Sequence, residues 1–575
     1  MSSYPCIQRT VLCDRCLASV EFNYHASAPH TRRSDYAPSA DEVARARSFI
    51  EEGKETMKLY DRELERIRGV LEKLEADRAS LEQQIEEQSA MISPLRRIPV
   101  ELWHRIFSMA CLPHGEKGIF GQALRIQHSK VEAPAFQISL TSSHWRNIAI
   151  NYPYLWRSIF IDLGLYYSPG IDLRVLTSVY LRNAGTSPLT VVVHDTNKEL
   201  WSENDMPISS SGIGMAVFRM LLPHAERIDE FMLFDISGFA LVEEICGTPH
   251  LKFSTLRTFI CDVDMENVPF ESTMWFWEAL SDAPQLRHVE GSLLPDEVDM
   301  LPYDQLTSLD CWKADDHDEL LDAISASYNL ESLTFRWDPE SPDDVILIPC
   351  ELSSLRVLTM RSAYSLDIAS YVLGCFHAPN LTSLSLSGSS GPMPYVVPQI
   401  VLTVLSRFSD ALQELRLDLI YVRLAGTSMS EVLAVLPNLT YFGVFLRGGG
   451  DEQEKGSPCI SHLLTRLTVP SEPALGRRVL GSRLTRLLLH ENHTSVDSSV
   501  IDRLLTMVES RSTSGLACSR MGSRVARLRY VEFTYWTSEA GPGGDRILDD
   551  LITSEDRKRI RLLQADGTVC RLEEE

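Results

Sequence analysis

Cys13-Asp14-Arg15-Cys16, with Cys6 before it and His25 and His30 after it, offers thiolate and imidazole donors of the kind that hold tetrahedral zinc. The spacing argues against it. The step from Cys16 to His25 is shorter than the usual finger, and no ββα pattern separates the two pairs. The segment reads instead as a flexible arm with incidental cysteines, and no metal is assigned. Ser142-Ser143-His144 pairs hydroxyls with an imidazole but lies on a helical pattern, without the strand–turn–helix elbow that exposes a hydrolase nucleophile. His490-Glu491-Asn492-His493 lacks the i, i+4 histidine spacing of a zinc protease. Gly448-Gly449-Gly450-Asp451 and Gly541-Pro542-Gly543-Gly544 have no following Lys-Ser/Thr with which to cradle phosphate. Asp315-Asp316-His317-Asp318-Glu319 fits the acidic first turn of a helix better than a cation site. The sequence therefore predicts no catalytic residue, no cofactor and no enzyme activity.

Composition limits the remaining classes. The chain has 575 residues and a formal charge of −24, with 44% hydrophobic and 23% charged residues, which is globular composition. The acidity argues against nucleic acid as a partner. Its location matters more. Residues 1–40 carry +1, residues 41–92 carry −5 and residues 93–160 carry +5, leaving −25 for residues 161–575. Twelve scattered cysteines are too sparse for a disulfide scaffold and point to a reducing compartment. The first twenty residues lack a signal-peptide core, and no window holds the ~18 apolar residues of a membrane helix. A soluble protein of the cytoplasm or nucleus, without membrane contact, is expected.

Any function must then lie in surfaces, so the elements that build them matter. In residues 41–93 the apolar residues Ile50, Met57, Tyr60, Leu64, Ile67, Leu71, Leu74, Leu81, Ile85 and Ile92 alternate steps of three and four. With Ile50 at heptad position a, ten of the thirteen a and d positions are apolar; Gly53, Arg78 and Gln88 are the exceptions. A period of about 3.5 residues keeps one narrow seam facing a partner helix, the mark of a left-handed coiled coil. Self-association through residues 50–92 is expected, against the alternative of one charged helix lying on its own protein. Pro94 ends the helix.

Residues 94–160 read as a small all-α module. Pro99 suits a first helical turn; Leu102, Ile106 and Met109 then share one face, and Trp103 and Phe107 the adjacent one. A second helix is expected over 136–149, followed by Asn151-Tyr152-Pro153-Tyr154-Leu155-Trp156. The pattern IPVELWHRIFSMACLP followed by ISLTSSHWRNIAINYPYLWRSIF resembles the F-box family, in the form abundant in mushroom-forming fungi. Two positions depart from the family pattern. Ile98 replaces a leucine, and Ser142-Ser143-His144 replaces a region that usually holds cysteine and arginine. The resemblance implies docking on a Skp-family adaptor, and through it on a cullin–RING ubiquitin ligase. The residues it implies are Ile98, Pro99, Leu102, Trp103, Ile106, Phe107, Leu140, Trp145 and Ile148. These apolar side chains also exceed what a hairpin of this length can cover by itself.

Residues 161–575 repeat a short L-x-x-L-x-L unit, clearest in Leu381-Thr382-Ser383-Leu384-Ser385-Leu386 and in Leu412-Gln413-Glu414-Leu415-Arg416-Leu417. Further anchors fall at Leu306, Leu330, Leu355, Leu439, Leu464 and Leu484, with weaker ones at Ile228, Leu256, Leu286 and Leu528. The intervals lie near the ~20–29 residues of a leucine-rich repeat. The expected fold is an α/β solenoid of irregular leucine-rich repeats with a curved parallel sheet, preceded by the small all-α F-box and the long coiled-coil helix. The implied function is capture of a protein substrate by the repeats of an SCF-type (Skp–cullin–F-box) ubiquitin ligase. A non-catalytic F-box and repeat scaffold is the alternative.

Overall fold

The computed structural model describes residues 6–11, 19–24, 36–92, 94–111, 124–127, 130–163, 172–194, 213–237, 251–264, 277–291, 300–311, 317–337, 349–362, 366–389, 394–395, 399–420, 423–424, 428–447, 458–470, 479–492, 498–512, 525–535 and 552–574. The chain divides into two compact units, Met1–Trp103 and His104–Glu575.

In the first unit, the long helix α1 runs over Ala40–Ile92 without a break, close to the expected 41–93. Its start is fixed by a reciprocal cap. The Ser39 backbone N–H donates to the Glu42 carboxylate at 2.9 Å, and the Glu42 N–H donates back to Ser39 Oγ at 3.4 Å. The Ser39 N–H, the Tyr36 hydroxyl at 2.8 Å and the Ser39 hydroxyl at 2.9 Å all donate to the Glu42 carboxylate and hold it down at about 2. Pairs such as Lys54–Glu51 and Arg78–Glu82 line the solvated flanks. The arm before α1 departs from expectation: Cys6–Val11 and Ser19–Tyr24 form an antiparallel hairpin, with Cys6 opposite Tyr24. The alternation of Val20, Phe22 and Tyr24 carries that strand signal, masked by the polar residues around it.

Among the described residues, the second unit is built on a sixteen-stranded sheet with helices. Fourteen strands, from Ser158–Asp162 to Val569–Glu574, follow one another in chain order and pair in parallel. The other edge carries Leu124–Gln127, parallel to Ser158–Asp162, and the antiparallel strand Lys130–Glu132. Residues 94–160, expected to be all-α, thus also contribute three strands to the sheet. Parallel neighbours need a crossover, and the intervening segments supply it, many as helices such as Ser428–Val435 and Gln399–Arg407.

Alternate residues of each strand point inward. Leu309, Leu333, Leu358, Leu384, Leu415, Phe442, Leu487 and Val531 are in register across eight strands, and all are buried. The corner before each strand repeats one backbone bond: Arg356 N–H to Glu331 O, Thr382 to Arg356 and Gln413 to Thr382, at 2.8–2.9 Å. Asparagines lock the same corner. Asn329, Asn380 and Asn438 each donate from Nδ2 to a carbonyl of the preceding turn, at Asp304, Ser353 and Ser409. The fold is a solenoid-like α/β array whose units close on their neighbours.

One anchor was misplaced. Leu464 and Leu467 lie on the helix Pro458–Leu467, not on a strand. Steps of three to four residues at Ile460, Leu463, Leu464 and Leu467 bury one helical face, and L-x-x-L is ambiguous between the two structures. Among the described residues, no helix is long and apolar enough to cross a membrane.

Candidate functional site

Helix α2 spans Val100–Ala110 and begins with Pro99 exposed just before it. Its two apolar faces have opposite fates. Trp103 and Phe107 are 3% and 1% exposed, whereas Leu102, Ile106 and Met109 are 51%, 42% and 61% exposed. The i, i+4 spacing of Leu102 and Ile106, with Met109 three further on, places the exposed three in one stripe.

The inner side is assembled by aromatic pairs. Phe107 meets Trp145 edge-on with centroids 5.2 Å apart, and His104 stacks on Tyr152 at 4.0 Å. Ser108 Oγ donates to the Tyr152 hydroxyl at 3.4 Å. The helix expected over 136–149 is two helices, α3 (Pro134–Thr141) and α4 (Ser143–Ile150), broken at Ser142. Ser142 is extended, at φ −157° and ψ 162°, and its Oγ accepts the Trp145 N–H at 3.1 Å. A hydroxyl that satisfies the second helix's first turn competes with continuation of the first. Ser142 and Ser143, which looked like a departure from the family pattern, thus create the corner. Arg146 Nε spans it, donating to Ser139 O at 3.0 Å.

The module is continuous with the sheet. Trp156 Nε1 donates to Ala149 O at 2.7 Å, and its ring meets Tyr180 edge-on at 5.0 Å. The Arg157 carbonyl accepts from Thr190 N–H at 3.1 Å, and its guanidinium lies 4.0 Å over the Tyr154 ring. Burial pushes the Cys111 thiol up to about 11, so it stays protonated and inert near neutrality.

The nine sequence-predicted docking residues therefore separate. Pro99, Leu102, Ile106 and Leu140 are exposed; Ile98 and Trp145 are half-buried; Trp103, Phe107 and Ile148 are buried. Only the first four are open to solvent. Met109 was absent from that set although it lies on the exposed stripe. His104 and Tyr152 were also missed, because no local spacing announces a stack between residues so far apart in the chain.

A second surface is the sheet face opposite the inner rows. Phe160, Val192, Met232 and Ile260 are in register there and buried together. The same row then turns polar, at Glu290, Asp310, Thr334 and Thr359. Asp310 is pushed up to about 6, first by burial and then by Glu290, against the opposing pull of Arg361 and His288. Further along, Arg416 lies 4.2 Å over the Phe445 ring, which stacks on His490 at 5.6 Å.

The chemical motifs do not converge. Cys6 begins the first hairpin strand, while Cys13, Cys16, His25, His30 and both glycine clusters lie outside the described residues. Asp318 and Glu319 sit in the first turn of the helix His317–Ala326, as expected. His490 is on a strand. No group of donors among the described residues could hold a metal ion. The chain matches no protein-family model and no curated protein sequence.

Proposed function

We propose that the chain is the substrate-recognition subunit of an SCF-type ubiquitin ligase. In this reading residues 94–160 act as an F-box, docking on a Skp-family adaptor through Pro99, Leu102, Ile106 and Leu140. The irregular leucine-rich repeats of 161–575 hold a protein substrate. One observation carries the proposal: α2 keeps Leu102, Ile106 and Met109 in solvent while its opposite side is packed. An open apolar stripe on a rigid helix is what a helix-in-groove partner requires. The chain itself performs no bond chemistry. It raises the local concentration of a target lysine near a ubiquitin-charged enzyme.

Co-expression tests this. The adaptor is expected to co-purify with the full chain and to be lost from Pro99→Ala/Ile106→Asp. Retention in that double variant would show that the α2 stripe is not the docking surface.

A further inference from the structure

We infer that α1 pairs with α1 of a second copy of this chain, antiparallel and in a single register. Helix α1 is continuous over Ala40–Ile92, and its seam residues Ile50, Met57, Leu64, Leu71 and Leu81 are exposed, while Gly53 and Tyr60 are half-buried. Two misfits on the seam, Gly53 and Arg78, and the charges beside it decide the geometry.

Parallel pairing in register sets each seam residue against its own copy. Arg78 would then face Arg78, and Gly53 would face Gly53. The flanks would offer two attractive contacts, Glu42–Arg47 and Glu63–Arg68, against one repulsion, Asp77–Glu82.

Antiparallel pairing sets a positions against d positions. With the two-fold axis between residues 65 and 66, Leu64 faces Ile67 of the second copy, Met57 faces Leu74 and Ile50 faces Leu81. That axis is also the midpoint of the helix, so the two copies overlap over their whole length, ~80 Å at about 1.5 Å per residue. Arg78 then falls opposite Gly53, where a missing side chain leaves room for its stem. Its guanidinium stays paired with Glu82 of its own helix at 2.9 Å.

The e positions complete the case. In chain order they are Arg47, Lys54, Asp61, Arg68, Glu75 and Glu82, with signs plus, plus, minus, plus, minus, minus. Reversing that series inverts every sign. In this register Arg47 therefore meets Glu82, Lys54 meets Glu75 and Asp61 meets Arg68, each twice by symmetry. A slip of one heptad one way opposes Arg68 to its own copy. A slip the other way opposes Asp61 to its own copy and Lys54 to Arg68. The charges admit one antiparallel alignment, which the apolar seam also prefers.

Sedimentation equilibrium of the full-length protein tests this without reference to the adaptor. The wild type is expected to be a dimer. Lys54→Glu and Glu75→Lys should each weaken it about tenfold, two symmetry-related contacts changing sign in each. Lys54→Glu/Glu75→Lys should restore it. All three variants should leave far-ultraviolet circular dichroism unchanged, because both side chains are exposed. A monomeric wild type overturns the proposal. So do single reversals without effect, or without mutual rescue, as parallel pairing requires, since there Lys54 faces Phe49 and Glu75 faces Val70.

Discussion

Two adjacent residues of α2 separate fold from docking. Phe107 is buried against Trp145, so Phe107→Ala should cost about 3–5 kcal/mol in denaturant unfolding. Ile106 is exposed, and Ile106→Asp should leave stability within about 0.5 kcal/mol. Equal losses for the two would mean that Ile106 is packed in solution. Arg511 is a different kind of core residue. Its buried guanidinium donates to three carbonyls, those of Leu467, Leu480 and Gly481, at 2.7–2.9 Å. Gly481 takes a φ of +57°, a conformation that residues with a Cβ rarely adopt. Arg511→Met strips those carbonyls of donors and should destabilise by about 3 kcal/mol or more. Asp310 supplies a pH signature. Its carboxyl stands at about 6 in the fold, above the usual 3.8, so between those values the folded state holds a proton that the unfolded state has lost. The stability from this group is full below that window and is lost as pH rises through it. Thermal melts should show the slope in the wild type, and Asp310→Asn should flatten it.

At the level of elements, the helix break at Ser142 makes the sharpest forecast. Ser142→Ala removes the acceptor for Trp145 N–H and should cost about 1 kcal/mol, measured by chemical unfolding. Ser142→Asp, which keeps an acceptor, should not. The elements also show what could be read without coordinates. Residues 41–93 and the strands at Ile228, Leu256, Leu306, Leu330, Leu381 and Leu412 were legible, because burial on one face imposes a period on the sequence. The break at Ser142 was not, because its neighbours keep a helical period on both sides. The strand Ser158–Asp162 was hidden for another reason. Ile159, Phe160 and Ile161 are all buried, so no alternation marks the strand. The α2 stripe was visible as two apolar faces, but spacing alone does not tell which face the fold covers. Only packing showed that Trp103 and Phe107 turn inward and leave Leu102 and Ile106 outside.

On the scale of the whole molecule, each repeat leans on its neighbours, so stability is lowest at the ends of the array. Among the described residues, the last strand, Val569–Glu574, pairs with one strand and packs against the helix Ser554–Ala565. Arg559 on that helix binds Glu509 and Asp502 at 2.7 Å each. Hydrogen exchange should find Val569–Glu574 opening before Ser383–Ser389, and Arg559→Ala should speed the first without touching the second. The acidity of the chain also gains an address. The −25 carried by residues 161–575 lies on the region proposed to hold substrate, next in the chain to residues 93–160 with their +5. In the proposed function the exposed stripe of α2 binds a Skp-family adaptor. Calorimetric titration of purified adaptor into the full-length protein tests it most directly. One adaptor should bind per chain, and Ile106→Asp should lower the affinity at least about a hundredfold while the melting temperature stays put. No binding by the wild type, or equal binding by Ile106→Asp, would contradict the account.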